Sequence, residues 1–408
     1  MRIAFINAVP YGSTGRIVRQ LRDYCEKKGD ETAVFFSWSK KKHETSTDIR
    51  RNIYVSSFLG KTAHIIGSRI FGHVGCYSYF DTIKIIRRLK KFKPDIVHLN
   101  LLHAWSFNFG LLFRYLKMEN IPVVWTMHDC WAITGHCAHF SMEKCDKWRI
   151  GCGDCPIYHE YPKSFIDDSK SMWKKKKEAF ASLKNMTIVT PSEWLAKIMQ
   201  TSFLNNYTVK VINNGIDLSI FKPTESDFKA KYSLNDDVKI VLGVSFDWGK
   251  KKGLDVFVEL SKRLDKKYKV VLVGIDNNVD TDIPANILTI KKTNSQEELA
   301  KIYSVADVFF NPTREEVLGL VNIEALACGT PVITFNSGGS PECIDESCGV
   351  VVNCEDIDCI KKTIEKVCND NYYSSEKCVR RAQKFDSELI FEKYYSVYDE
   401  VHKKCLSL

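Results

Sequence analysis

No apolar run in this 408-residue chain approaches the ~18 consecutive residues that a membrane-spanning helix requires. The opening "MRIAFINAVPYG" lacks the basic start and longer apolar stretch of a secretory signal, so a cytoplasmic protein is expected. Low-complexity segments and short tandem repeats are missing, which excludes a disordered array or a solenoid. The G-x-G-x-x-G fingerprint is not met by "INAVPYGSTG", which argues against an NAD enzyme. The lysines are not interleaved with an aromatic RNA-binding motif, which argues against a nucleic-acid partner. What remains is 44% hydrophobic and 27% charged, an ordinary globular balance at a length comfortable for two domains.

Fifteen cysteines would imply disulfides in a small secreted domain, but this length and the missing signal favour reduced thiols. Most, Cys328 and Cys343 among them, are scattered and read as small buried hydrophobes. One group is not. "HDCWAITGHCAHFSMEKCDKWRIGCGDCP" gathers Cys130, Cys137, Cys145, Cys152 and Cys155, with His136 and His139 between them. Only Cys152 and Cys155 have the C-x2-C spacing that makes half of a tetrahedral zinc site. Two readings stand side by side: a structural zinc on Cys137, Cys145, Cys152 and Cys155, and free cysteines packed in a loop.

The net charge of +9 is uneven: residues 1–210 carry 33 Lys and Arg against 18 Asp and Glu, and residues 211–408 carry 26 against 32. A basic first half suits an acidic partner: a membrane surface, a phosphorylated acceptor or nucleic acid. Any single run, such as "WKKKKEAF", also reads as a solvated helix face.

Short β-branched runs alternate with amphipathic segments, the pattern of parallel α/β layering. In the first half "RIAFINA", "ETAVFFSW", "DIVHLN", "PVVWTMH" and "NMTIVTPS" read as strands, and "GRIVRQLRDYCEKKG", "DTIKIIRRLKKFKP" and "FNFGLLFRYLKMENI" as helices. In the "DTIKIIRRLKKFK" helix, Ile83, Ile86 and Leu89 are expected as the apolar stripe. A second series begins near "KVINNGID" and runs through "KIVLGVSF", "YKVVLVGI", "DVFFNPT" and "PVITFN". Two Rossmann-like domains facing across a cleft are expected, with the last helix packing back on the first. The domains are placed at 1–208 with helix 386–408, and at 209–385.

In "TREEVLGLVNIEALACGTPVI", Glu316 and Glu324 stand eight residues apart. Read as one helix, that spacing leaves them ~80° apart around the axis and ~12 Å along it. Two carboxylates so placed suit the ends of an elongated ligand, and Glu324 inside an apolar run is hard to explain by packing. The backbone of Leu318, Gly319 and Leu320 at the helix start suits a diphosphate. Each residue alone has a bland reading: Glu316 as a helix-dipole partner, Lys252 as a surface lysine, His128 as a core histidine, Gly12 and Gly15 as a turn.

Taken together, these stretches resemble a known family. Glu316 and Glu324 with "ALACGTPVI" are similar to the E-x7-E signature of retaining glycosyltransferases of family 4, which have the GT-B fold. "INNGID" (212–217) resembles the family's Pro-Asn-Gly-Val/Ile-Asp lead-in to the second domain, with Asn213 in place of Pro. "KKGLD" (251–255), "TPSEWLA" (190–196) and "SGGSPE" (337–342) follow in the family's order, and "HDCWAITGHC" resembles a subgroup from bacterial surface-polysaccharide gene clusters. The resemblance implies that Glu316 holds donor-sugar hydroxyls, Glu324 the ribose and Lys252 the diphosphate. It places His128 beside the anomeric centre and the Gly12–Gly15 loop near the diphosphate. It implies no cofactor for transfer. The implied acceptor is a glycan, lipid-diphosphate-linked, with peripheral contact at an anionic membrane. One departure stands out: where the family has an arginine before its Lys-Gly element, this chain has Phe246 and Asp247. Lys250, Lys251 or Arg314 is then the substitute, or Lys252 and helix dipoles carry more of the diphosphate. The competing readings are a sugar-nucleotide epimerase, which needs a further base, and a basic nucleic-acid-binding protein.

Overall fold

A computed structural model describes residues 1–37, 52–103, 105, 107–275, 282–353, 355–369 and 372–406. Trp38, the expected end of the second strand, lies outside them. Two compact units result, Met1–Ile212 with Phe391–Leu408, and Asn213–Ile390. Among the described residues no helix is long and apolar enough to cross a membrane.

The first unit is built on seven parallel strands: β1 Arg2–Asn7, β2 Glu31–Phe36, β3 Asn52–Tyr54, β4 Ile96–Leu99, β5 Val123–Thr126, β6 Met186–Thr190 and β7 Thr208–Val211. Their order is β3-β2-β1-β4-β5-β6-β7, so the direction of winding reverses between β1 and β4. Helices cover both faces, which is why Ile3, Phe5, Ile6, Val97 and Leu99 are all fully buried rather than alternating with polar residues. Strand β7 pairs with β6, from Thr187↔Thr208 to Thr190↔Val211. The run expected to open the second series therefore closes the first sheet. Gly15 lies in the first turns of the helix Gly12–Lys27, not in a loop. A Cβ on Gly15 would sit 2.3 Å from the Pro10 carbonyl carbon, so only glycine lets the helix turn this tightly off β1.

The helix Tyr79–Phe92 buries Asp81, Thr82, Ile85 and Leu89. Its inner face is shifted from the expected Ile83–Ile86–Leu89 stripe. The C-terminal helix Ser387–Leu406 packs on this unit, as expected: the Tyr398 hydroxyl lies 2.6 Å from His98 Nδ1 and the Tyr394 hydroxyl 3.2 Å from Thr126 Oγ1.

The second unit has six parallel strands: β8 Lys239–Val244, β9 Tyr268–Val273, β10 Leu288–Ile290, β11 Val308–Asn311, β12 Val332–Phe335 and β13 Gly349–Val352. The order β10-β9-β8-β11-β12-β13 reverses between β8 and β11, which pair at Val308↔Val241 and Phe309↔Leu242. Alternate residues feed opposite layers: Leu242 and Phe309 pack with Ile323 and Leu326, while Val241 and Phe310 pack with Phe257 and Leu260. Each such side chain contributes about 1.5–3 kcal/mol by leaving water.

Candidate active site

In open parallel sheets, ligands bind beyond the carboxyl ends of the strands where the winding reverses. In the second unit that point lies between β8 and β11. The segment after β8 makes a tight turn, Lys250–Lys252, ending at Gly253 with φ of 71°. A Cβ there would lie 2.5 Å from the Pro312 carbonyl oxygen, so glycine permits the close approach of the segments following β8 and β11. That approach sets Lys252 Nζ 2.8 Å from Glu316 Oε2 and 3.5 Å from Thr313 Oγ1. Both charged side chains remain partly open, at 27% and 22% exposure. The other carboxylate oxygen of Glu316 accepts the Val317 N–H at 3.1 Å.

The "SGGSPE" segment after β12 reaches the same residue. Gly339 N–H donates to the Glu316 carbonyl at 3.2 Å, and a Cβ on Gly338 would lie 1.7 Å from that oxygen. Three segments far apart in sequence thus meet at Glu316.

The helix begins only at Leu320, after Gly319 with φ of 90°, and runs to Ala327. Glu316 is therefore not on it, and the ~80° and ~12 Å expected of a shared helix do not describe the pair. The cause is tertiary: the Glu316 backbone is tied to the glycine pair and Gly319 turns left-handed, so the chain between them stays irregular. Glu324 lies within the helix, 6% exposed, and accepts from the Tyr303 hydroxyl at 3.2 Å. Leu318 and Gly319 precede the helix and Leu320 opens it, where the first N–H groups lack intrahelical acceptors.

Residue-by-residue reading missed the polar scaffold behind this helix. Asn322 Nδ2 donates to Ser340 Oγ at 2.8 Å, Asn311 Nδ2 donates to Asn322 Oδ1 at 2.8 Å, and Thr334 Oγ1 lies 2.7 Å from Ser340 Oγ. Asn322 in an otherwise apolar run was the available signal, because a buried amide requires partners. Of the candidates for the missing arginine, Arg314 is held by Asp255 and Glu355, each at 2.8 Å. Lys251 Nζ lies 3.4 Å from Glu315 Oε2. Lys250 is exposed.

The first unit carries its own polar group beyond β4 and β5. His128 Nε2 lies 3.1 Å from Asn100 Oδ1. Burial, against the opposing pull of Asp129, brings the His128 imidazole down to about 4, so it is neutral at pH 7. Asp129 Oδ2 lies 2.6 Å from His103 Nε2. Burial pushes the Asp129 carboxyl up, but His103 outweighs it, with help from His139, and the group falls to about 2. Asn100, His103 and Asp129 were not singled out from sequence; the His-Asp pair at 128–129 was the only hint. Gly12 takes φ of 72° at the start of its helix, with open space where a Cβ would stand.

Cys137, Cys145, Cys152 and Cys155 line one small cavity of ≈ 20 Å³ together with His136, Phe140 and Trp148. None of them is in a disulfide. Among the described residues no three His, Cys, Asp or Glu side chains are already arranged to hold a metal ion.

The sequence profile described as Glycosyltransferase Family 4 matches residues 14–220, and that of Glycosyl transferases group 1 matches residues 225–385. A glycosyl transferase assigned to colanic acid biosynthesis in Escherichia coli K12 is 24% identical over 272 residues, 65% of this chain and 65% of the relative. Matches to other curated relatives span as little as 35% of their length. Sucrose-phosphate synthase of Thermosynechococcus elongatus superposes with a TM-score of 0.72 at 20% identity, covering 99% of each chain. Anabaena HepE in complex with UDP-glucose superposes at 0.66 with 14% identity, covering 100% of each. With the family profile matching half of its length and two Rossmann-like units in the order described, the chain belongs to glycosyltransferase family 4 and has the GT-B fold.

Proposed function

We propose that this protein is a retaining glycosyltransferase that moves a sugar from a nucleotide-sugar donor to a glycan acceptor in bacterial surface-polysaccharide biosynthesis. The observation that carries the reading is the Lys252–Glu316 contact at 2.8 Å, placed where the second sheet reverses its winding. A leaving nucleoside diphosphate develops negative charge that a fixed cation stabilises. Lys252 has three N–H donors, so it can keep Glu316 while taking a phosphate oxygen. Glu316 then accepts from donor-sugar hydroxyls, the backbone at Leu318, Gly319 and Leu320 meets the diphosphate, and Glu324 takes the ribose. The roles of His128, Gly12 and Gly15 toward the donor rest on the family resemblance alone. In transfer with retention, the bond from the anomeric carbon to the phosphate oxygen breaks. A bond to the acceptor oxygen forms on the same face, and the departing phosphate takes the acceptor proton.

Transfer is proposed to proceed without a metal, any metal being structural and held by the loop of Cys137, Cys145, Cys152 and Cys155. The acceptor is proposed to be linked to a lipid diphosphate, the protein being cytoplasmic and peripheral at the inner face of the membrane. Supporting this, the helix Phe58–Phe71 exposes Leu59 at 78%, Ile66 at 52% and Ile70 at 42%, with Phe80 at 77% nearby in sequence.

The test separates the two glutamates. Thermal stabilisation by UDP, GDP, ADP and CMP derivatives identifies the nucleotide, because a specific ligand raises stability by mass action. Glu324→Gln is expected to weaken binding of that free nucleotide by about 1–2 kcal/mol, roughly five- to thirtyfold in Kd. Glu316→Gln is expected to abolish sugar transfer while leaving nucleotide affinity nearly intact. Equal loss of nucleotide affinity in both variants overturns the assignment, and nucleotide release without any acceptor would favour an epimerase.

A further inference from the structure

Beyond β5 the chain folds against the start of the helix Ser169–Phe180, so closely that a Cβ on Gly135 would lie 2.0 Å from the Ser169 carbonyl oxygen. The cavity enclosed there, ≈ 20 Å³, is lined by four cysteines drawn from nineteen positions of sequence, Cys137 to Cys155. Cys137 lies within electrostatic reach of Cys152 and Cys155, and Cys152 within reach of Cys145 and Cys155. His136 also lines it and is only 5% exposed. Its ring is hydrogen bonded to backbone at Glu160 and Tyr158, while Nε2 is buried with no partner. An imidazole anchored to backbone through one nitrogen, with the other left open, is the arrangement of a metal-binding histidine. The sulfurs are served as metal thiolates are: Cys152 Sγ accepts the Gly135 N–H at 3.1 Å, and Cys155 Sγ accepts from the backbone at Ile157.

We propose that this cavity is a zinc site, in which four of the five groups Cys137, Cys145, Cys152, Cys155 and His136 Nε2 close tetrahedrally on one ion. The ion draws in side chains that already surround the space, and each ligating thiol gives up its proton to solvent on binding. The site's role is positioning. Trp131, on the same loop, accepts at its carbonyl from Lys176 Nζ at 2.7 Å and packs against His103 at 5.4 Å between ring centroids. His103 in turn pairs with Asp129, next to His128. A zinc that fixes the loop thereby fixes the orientation of these groups, whichever reaction they serve.

The full chain is purified with thiol reductant, without chelator and with added zinc, then freed of excess metal. About one zinc per chain is expected. Replacement of zinc by cobalt(II) is expected to give intense thiolate-to-metal charge-transfer absorption with tetrahedral ligand-field bands. Cys152→Ser with Cys155→Ser should lose the metal, while Cys328→Ser should retain it. Nucleotide-induced thermal stabilisation, which reads the second unit, is expected to survive zinc removal, so failure here is distinguishable from failure of the transfer reading. A parent chain holding less than about a tenth of an equivalent of zinc, or a cobalt form without sulfur charge-transfer bands, overturns the proposal.

Discussion

His64 and His98 are almost fully enclosed, at 0% and 1% exposure, and burial brings each imidazole down to about 3. His64 Nε2 accepts the Gly75 N–H at 3.0 Å, so Nδ1 carries the proton and donates to Ser78 Oγ at 2.6 Å. Adding a second proton would destroy the Gly75 bond. In the unfolded chain a histidine titrates near 6.5. Below that value the unfolded state binds more protons than the folded state, so stability falls as pH falls. The slope is about 1.4 kcal/mol per pH unit for each such histidine. Urea midpoints should therefore be flat above about pH 7 and decline from pH 6.5 to 5, a window above the titration of ordinary carboxylates. His64→Gln, which keeps a donor and an acceptor, should make that decline shallower. An unchanged slope in this variant would show that His64 is not held neutral.

At the scale of elements, the glycines separate strain from freedom. Gly338 combines φ of 56° with a Cβ position 1.7 Å from the Glu316 carbonyl oxygen, whereas Gly12 has φ of 72° and open space. Gly338→Ala should lower stability by about 1–3 kcal/mol and weaken donor binding, because the loop after β12 must retreat from Glu316. Gly12→Ala should cost only about 1 kcal/mol, the strain of its backbone angle. Similar melting temperatures for the two variants would mean that the loop relaxes freely and does not hold Glu316. These positions also mark how far the sequence could be read. The alternation of strand and helix, the GT-B fold and the final helix's return to the first unit were legible, because buried parallel strands are continuous β-branched runs and the family's motifs are local. The start of the helix at Leu320 was not, because Gly319 turns left-handed and the backbone before it, at Glu316, is bonded by Gly339, twenty-three residues beyond Glu316. Nor was the sheet to which Thr208–Val211 belongs, since a four-residue strand carries no record of its partner. The inner face of Tyr79–Phe92 falls on Ile85 instead of Ile83 and Ile86, a choice set by what packs against it. Within the site, charged residues in motifs were visible, whereas Asn322, Thr334 and Ser340 became meaningful only as a bonded network.

At the scale of the molecule, charge divides as the units do. The first unit holds 36 Lys and Arg against 21 Asp and Glu, and the second 23 against 29. The basic unit also carries the helix on which Leu59, Ala63, Ile66 and Ile70, spaced i, i+4, i+7 and i+11, are all exposed. That is an apolar stripe turned away from its own core, and Arg87, Arg88 and Lys91 on the helix Tyr79–Phe92 are exposed as well. Cations and an apolar stripe together suit an anionic bilayer, with each cation near the surface contributing ~1 kcal/mol. The two components respond differently to salt. Raising ionic strength from 0.1 M to 1 M shortens the Debye length from ~10 Å to ~3 Å, which removes the charge contribution and leaves apolar insertion. Co-sedimentation with anionic vesicles should therefore be strong at low salt and weaker, though still measurable, at high salt; neutral vesicles should retain only the salt-insensitive part. Changing Arg87, Arg88 and Lys91 together to Gln should remove the salt-dependent part, while Leu59→Ser with Ile66→Ser should remove what survives at 1 M. Lys90 is left in place because it already pairs with Glu119 at 3.4 Å. Nucleotide binding by the second unit should be the same in every variant, which excludes misfolding as the cause of lost sedimentation. If the parent ignores anionic vesicles even at low salt, the exposed stripe is not a membrane surface and a soluble acceptor replaces the lipid-linked one.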